Sequence, residues 1–62
     1  MDLAQWLRQL GFERYEPAFR ENDVSPAVLP HLTAEDLKEL GITSLGHRRR
    51  LLAAIAALSV DG

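Results

Sequence analysis

Residues 32–52 read Leu32-Thr33-Ala34-Glu35-Asp36-Leu37-Lys38-Glu39-Leu40-Gly41-Ile42-Thr43-Ser44-Leu45-Gly46-His47-Arg48-Arg49-Arg50-Leu51-Leu52. This stretch decides the fold. Thr33 is an N-cap and Asp36 lies three residues on, a variant of the capping box. Leu32 and Leu37 sit where a hydrophobic staple puts its two apolar residues. Leu40 closes the apolar stripe. Gly41 stops the helix, because glycine takes the left-handed conformation past a helix end without a steric cost. A longer helix then starts at about Ser44 or Leu45 and runs to Leu58. Leu51, Leu52, Ile55 and Leu58 form its apolar face, and the stem of Arg48 continues that face at the core edge.

Working toward the N-terminus, the same grammar repeats. Asp2 caps a first helix that ends at Leu10, with Leu3, Trp6, Leu7 and Leu10 on one stripe and Gly11 as its stop. A second helix is expected over about Glu13 to Asn22, with Phe12, Tyr15 and Phe19 sharing a face. Pro17 makes its start uncertain, since proline lacks the amide proton and clashes with the preceding turn. A short element spans about Ser25 to Leu29, with Ser25 as cap, Pro26 at the first position and Pro30 as its end. Leu and Ala dominate with eleven and eight residues, against three Val, two Ile and two Thr. That balance favours helix over strand. Five helices joined by connections of two to four residues predict an all-α, compact five-helix orthogonal bundle in a single domain covering residues 1–62. Ser59 to Gly62 read as a disordered end.

Sixty-two residues make one small domain, near the lower end of what folds without staples. The chain has no Cys, which excludes disulfides and thiolate metal sites. At 47% hydrophobic and 26% charged it has a globular composition. No run of about 18 apolar residues is present, as a membrane span would need. Met1-Asp2-Leu3 does not read as a signal peptide, so a cytoplasmic location is expected.

The net charge of −2 hides an asymmetry. Residues 1–20 balance three acids against three bases. Residues 21–39 carry five acids and one base, and residues 40–60 carry three bases and no acid. A domain with an acidic and a basic region attracts copies of itself head to tail.

The basic region also breaks a local rule. A helix N-terminus carries roughly half a positive charge and disfavours cations by about 0.3–1 kcal/mol each. Yet His47, Arg48, Arg49 and Arg50 fall within the first two turns, without an acid. Gly46 weakens the helix further, while its bare backbone permits close approach of a partner. Breaches of this kind are expected at functional sites. The competing structural reading has Ser44 capping the helix, His47 folding back on it and the arginines solvated. Leu45 is placed either on the core line or as an apolar knob beside the basic cluster, where it would suit an interface centre. On the acidic side, Glu35 and Glu39 share one helix face at i, i+4, and Glu21 and Asp23 lie at the end of the second helix and in the turn after it.

Nothing in the sequence points to catalysis. There is no nucleotide-binding, zincin or nucleophile-elbow motif, and His31 and His47 have no third metal ligand near them in sequence. A bundle this small leaves little room for an enclosed substrate pocket. No enzyme activity, cofactor or metal is expected, and Trp6, Phe12, Tyr15 and Phe19 read as core.

Trp6-Leu7, Leu10-Gly11-Phe12-Glu13-Arg14-Tyr15, Phe19, Leu29 with Leu32-Thr33-Ala34-Glu35-Asp36-Leu37, and Leu40-Gly41-Ile42 followed by Leu45-Gly46-His47-Arg48-Arg49-Arg50-Leu51-Leu52 occur in an order that resembles a sterile alpha motif (SAM) domain over essentially the whole chain. The wording looks like bacterial examples, such as the N-terminal modules of multidomain nucleotide cyclases. The resemblance implies a five-helix bundle that associates through a mid-loop and an end-helix surface. The mid-loop surface maps onto Glu21, Asp23, Glu35 and Glu39, and the end-helix surface onto Leu45, Gly46, His47, Arg49 and Arg50. Many mid-loop surfaces carry a large apolar residue near the position of Asp23, so the contact here is expected to be more electrostatic.

The function expected from these readings is a protein-interaction module that self-associates head to tail into open polymers or oligomers, its partner being itself or another SAM-like domain. The first alternative is hairpin RNA binding through the basic start of the fifth helix, which is similar to the Smaug-like branch of the family. The net charge and the single Lys38 outside the arginines argue against it. The second alternative is a monomeric module that binds a different partner domain.

Overall fold

The computed structural model describes residues 1–59. Asp2 caps the first helix, α1 (Leu3–Gln9), its carboxylate accepting the Ala4 N–H at 3.0 Å. Glu13–Tyr15 form a 3-10 turn that leads directly into α2 (Glu16–Glu21). A second 3-10 turn, Leu29–His31, precedes α3 (Ala34–Glu39), and α4 (Leu45–Ser59) ends the described chain. α1 packs on the Glu13–Tyr15 turn and on α2, while α4 packs on α3 and the Leu29–His31 turn. The described residues contain no strand, so the all-α class holds.

The first three helices end in the same way. In each, the residue after the C-cap has a positive φ: Gly11 at 81°, Asp23 at 56° and Gly41 at 99°. Its N–H and the next one turn back onto carbonyls left without helical partners. Gly11 donates to Arg8 at 3.0 Å and Phe12 to Leu7 at 2.8 Å; Asp23 donates to Arg20 at 3.1 Å and Val24 to Phe19 at 2.9 Å; Gly41 donates to Lys38 at 3.0 Å and Ile42 to Leu37 at 3.1 Å. This is the Schellman closure, with its apolar contact across the helix end. The pairs Leu7 and Phe12, Phe19 and Val24, and Leu37 and Ile42 supply six of the nine buried hydrophobic residues among those described. The core is therefore built largely from helix ends. Leu29, Leu51 and Ile55 complete it. Each such side chain contributes roughly 1.5–3 kcal/mol on burial.

The expectation of five helices is corrected to four α-helices and two 3-10 turns among the described residues. Between Ser25 and Leu32 every backbone bond spans three residues: Val28 to Ser25, Leu29 to Pro26, His31 to Val28 and Leu32 to Leu29. Pro26 and Pro30 have no N–H to extend a four-residue ladder, so no α-helix forms at Ser25–Leu29. Pro30 lies inside the Leu29–His31 turn instead of ending the element. Pro17 likewise divides the helix expected over Glu13 to Asn22, and it stands in the first turn of α2, where its missing proton costs nothing. At the C-terminus, Ser59 belongs to α4, not to a disordered end; residues 60–62 lie outside the described residues.

Candidate protein-interaction surfaces

The start of α4 is fixed by Ser44, whose hydroxyl accepts the His47 N–H at 3.3 Å and whose carbonyl accepts the Arg48 N–H at 3.0 Å. Beyond that cap the basic residues face different ways. His47 is half-buried. Its Nδ1 shares a hydrogen bond of 2.7 Å with the Tyr15 hydroxyl, and its ring centre lies 4.9 Å from that of Phe12. Arg48 donates to the carbonyls of Ile42 at 3.0 Å and Thr43 at 2.9 Å. Arg50 donates to the Leu10 carbonyl at 3.2 Å, with its guanidinium 4.8 Å from the centre of the Phe12 ring. Arg49 is exposed and makes no hydrogen bond or ion pair with the described residues. Leu45, one helical turn earlier on the same face, is 58% exposed. Of the five residues expected on the end-helix surface, Leu45, Gly46 and Arg49 present themselves outward, and His47 and Arg50 are tied to their own chain.

The acidic residues are spread over more ground. Glu21 is exposed in the last turn of α2, and Glu35 and Glu39 are exposed one turn apart on α3. Glu39 borders a groove of about 310 Å³. Its apolar lining is Val24, Val28, Leu32 and Leu40, and Asn22, His31 and Asp36 join Glu39 on the polar side. Asp23 opens on a different groove, of about 330 Å³, beside Glu16 and Arg20. Val24 lines both. The turn after α2 thus brings Asn22 to Glu39 but keeps Asp23 away from it. Val28, His31, Leu32 and Leu40 were not anticipated as surface residues. Their signal is visible in retrospect: four residues flank two prolines and a short helix, too short a stretch to bury them all.

Among the described residues the single ion pair is Arg20 with Glu16, at 3.2 Å. The acids Glu21, Asp23, Glu35 and Glu39 therefore remain unpaired by Arg49 or Arg50 within one copy. No group of three potential ligands could hold a metal ion among these residues, and no helix is long and apolar enough to cross a membrane.

Comparison with known proteins agrees with this architecture. The family model described as SAM domain (sterile alpha motif) matches residues 1–59. The chain is 40% identical over 58 residues to mouse diacylglycerol kinase delta, covering 94% of this chain and 5% of that protein. It is 41% identical over 58 residues to mouse protein bicaudal C homolog 1, with 94% and 6% covered. It is 39% identical over 57 residues to human SH3 and multiple ankyrin repeat domains protein 2, with 92% and 3% covered. The chain thus spans only a small fraction of the length of these relatives. All three are mammalian and none is named a nucleotide cyclase, so they lend no support to a bacterial cyclase module. No solved structure matches. The capped helices, the glycine stops and the basic start of α4 therefore have one reading, which is that the chain belongs to the SAM domain (sterile alpha motif) family of protein–protein interaction modules.

Proposed function

We propose that this domain associates head to tail with further copies of itself, as an interaction module of a longer cytoplasmic signalling protein. Leu45 and Arg49 of one copy meet the groove beside Glu39 of the next. The apolar side chain faces Val24, Val28, Leu32 and Leu40, and the guanidinium faces Asp36 and Glu39. Glu21, Asp23 and Glu35 lie outside this groove and steer the approach through their charge. The observation that carries the reading is that, among the described residues, neither charge set is ion-paired with the other within one copy. The exposed Leu45 supplies an apolar centre, which a rim of charge alone lacks. A contact between two different surfaces does not close on itself unless the rotation permits, so it yields open polymers.

Hairpin RNA binding draws less support. His47 is hydrogen-bonded to Tyr15, and Arg48 and Arg50 are each held by one nitrogen against backbone carbonyls, which leaves Arg49 as the one of the four with no partner among the described residues. RNA recognition needs several phosphate contacts with base readout.

Sedimentation velocity tests the proposal. The native chain is run over a concentration series at low salt and at about 0.5 M, where screening reaches only a few Å, beside Arg49→Glu, Glu39→Arg and their equal mixture. A size distribution that grows with concentration, shrinks with salt and is lost in each variant supports the reading. The mixture then forms a capped dimer, since the unaltered groove of Arg49→Glu accepts the unaltered start of α4 of Glu39→Arg. A monomer at every concentration overturns self-association and turns the search to a different partner domain.

A further inference from the structure

The three consecutive arginines look alike in the sequence and are not alike in the structure. Arg48 reaches the carbonyls of Ile42 and Thr43, in the loop between the end of α3 and the Ser44 cap of α4. Arg50 reaches the carbonyl of Leu10, the C-cap residue of α1. A helix C-terminus leaves carbonyls without helical partners and carries the negative end of the dipole. A cation that is unfavourable at the start of its own helix is favourable at the end of a neighbour's. The guanidinium fork suits this because it donates in a fixed plane. Arg48 uses one nitrogen for two carbonyls, and Arg50 adds the face of Phe12. His47 makes a third attachment, to Tyr15. Arg49, between them, has no such partner.

We propose that the basic start of α4 is divided by role: Arg49 is the contact residue, while Arg50 is a positioning residue that pins α4 to the C-terminal end of α1 and Arg48 one that pins it to the Ile42–Thr43 loop after α3, and together they aim Leu45 and Arg49. The contact half of this inference rests on the self-association proposed above; the positioning half does not. The arrangement also accounts for four basic groups at a helix N-terminus without an acid. Arg50 answers the negative end of α1 and Arg48 two loop carbonyls ahead of its own helix, so the sequence rule is broken only locally.

The division is tested with Arg49→Gln, Arg48→Gln, Arg50→Gln and Arg50→Lys in the whole chain, by two independent readouts. The first is the amide spectrum at high dilution, where any association is absent. Arg50→Gln shifts the amides of Gly11, Phe12 and Tyr15, Arg48→Gln shifts those of Thr43 and Ser44, and Arg50→Lys restores most of the native pattern because an ammonium still donates to Leu10. Arg49→Gln leaves all of these in place. The second readout is association against salt. Arg49→Gln flattens the salt dependence, because it removes a charge from the contact. Arg48→Gln and Arg50→Gln weaken association by about threefold to tenfold while changing the salt dependence less than Arg49→Gln does, since they misplace the contact and their charges stand back from it. If Arg50→Gln leaves the Gly11–Tyr15 amides unmoved, or flattens the salt dependence as Arg49→Gln does, the division of roles is wrong. If the native chain proves monomeric, the contact role of Arg49 falls with the proposed function, and the amide shifts alone decide the positioning roles.

Discussion

The Tyr15 hydroxyl and His47 Nδ1 stand 2.7 Å apart, joining the turn before α2 to the first turn of α4 across 32 residues of chain. Phe12 packs against both rings, at 4.9 Å from His47 and 5.7 Å from Tyr15. Removing the hydroxyl by Tyr15→Phe leaves a half-buried ring nitrogen without its partner. The expected cost is about 0.5–1.5 kcal/mol, which lowers the melting temperature of a domain this size by several degrees. His47→Ala is expected to cost more, because the ring contacts go with the hydrogen bond. A double-mutant cycle in urea isolates the pair. Additive single effects would show that the hydroxyl and the ring nitrogen do not act together.

Asp23 occupies a backbone position that Gly11 and Gly41 hold in the other two helix ends. At φ 56° an L side chain is strained, though less for Asp than for most. Asp23→Gly is therefore expected to stabilise the fold by up to about 1 kcal/mol. Gly11→Ala and Gly41→Ala are the converse. A Cβ at either position would meet nothing within 4 Å, so the cost of about 1–2 kcal/mol comes from the backbone alone. Urea unfolding of all three variants checks both signs. Neutral Gly→Ala substitutions would mean that these turns relax out of the left-handed region.

Much of this was legible in the sequence because it is local. The Thr33 box forms as read, with the Asp36 N–H to Thr33 Oγ1 at 3.2 Å and the Thr33 N–H to Asp36 Oδ2 at 3.0 Å. Asp2, Gly11 and Gly41 cap and stop their helices as read. The third Schellman closure was hidden because Asp stands at the left-handed position. The shared signal was Phe12, Val24 and Ile42, each two residues past its helix's C-cap. What was not legible is non-local. No spacing rule connects Arg50 to the Leu10 carbonyl or His47 to Tyr15, so a solvated arginine, a clamp and a contact look the same in sequence. The groove beside Glu39 was missed for a similar reason. It exists only because the proline-bearing turn and α3 come together.

Gly46 lies in the first turn of α4 without a positive φ, and a Cβ there would meet only Ser44 Oγ, at 3.9 Å. The fold has no use for a glycine at this point. Gly46→Ala is expected to stabilise the domain by a few tenths to about 1 kcal/mol through helix propensity. If the bare backbone serves close approach of a neighbouring copy, the same substitution weakens association. Stability by urea and association by sedimentation then move in opposite directions. A variant that is more stable and associates as the native chain does would remove Gly46 from the contact.

Leu45 gives the sharpest separation of fold from function. It is 58% exposed, so truncating it removes little buried surface. The first turn of α4 has no acid, and an acid there is favoured by about 0.3–1 kcal/mol. Leu45→Ala is expected to leave stability nearly unchanged, and Leu45→Asp to raise it slightly. Both should weaken self-association, by different routes. The Ala variant loses apolar contact with the groove of Val28, Leu32 and Leu40, which salt does not restore. The Asp variant also sets a negative charge against Asp36 and Glu39, and screening that repulsion returns part of the affinity. Sedimentation of both variants at two ionic strengths distinguishes the two routes. Native association by Leu45→Ala would place the contact elsewhere, and a salt response shared by both variants would show that the groove is not where the residue lands.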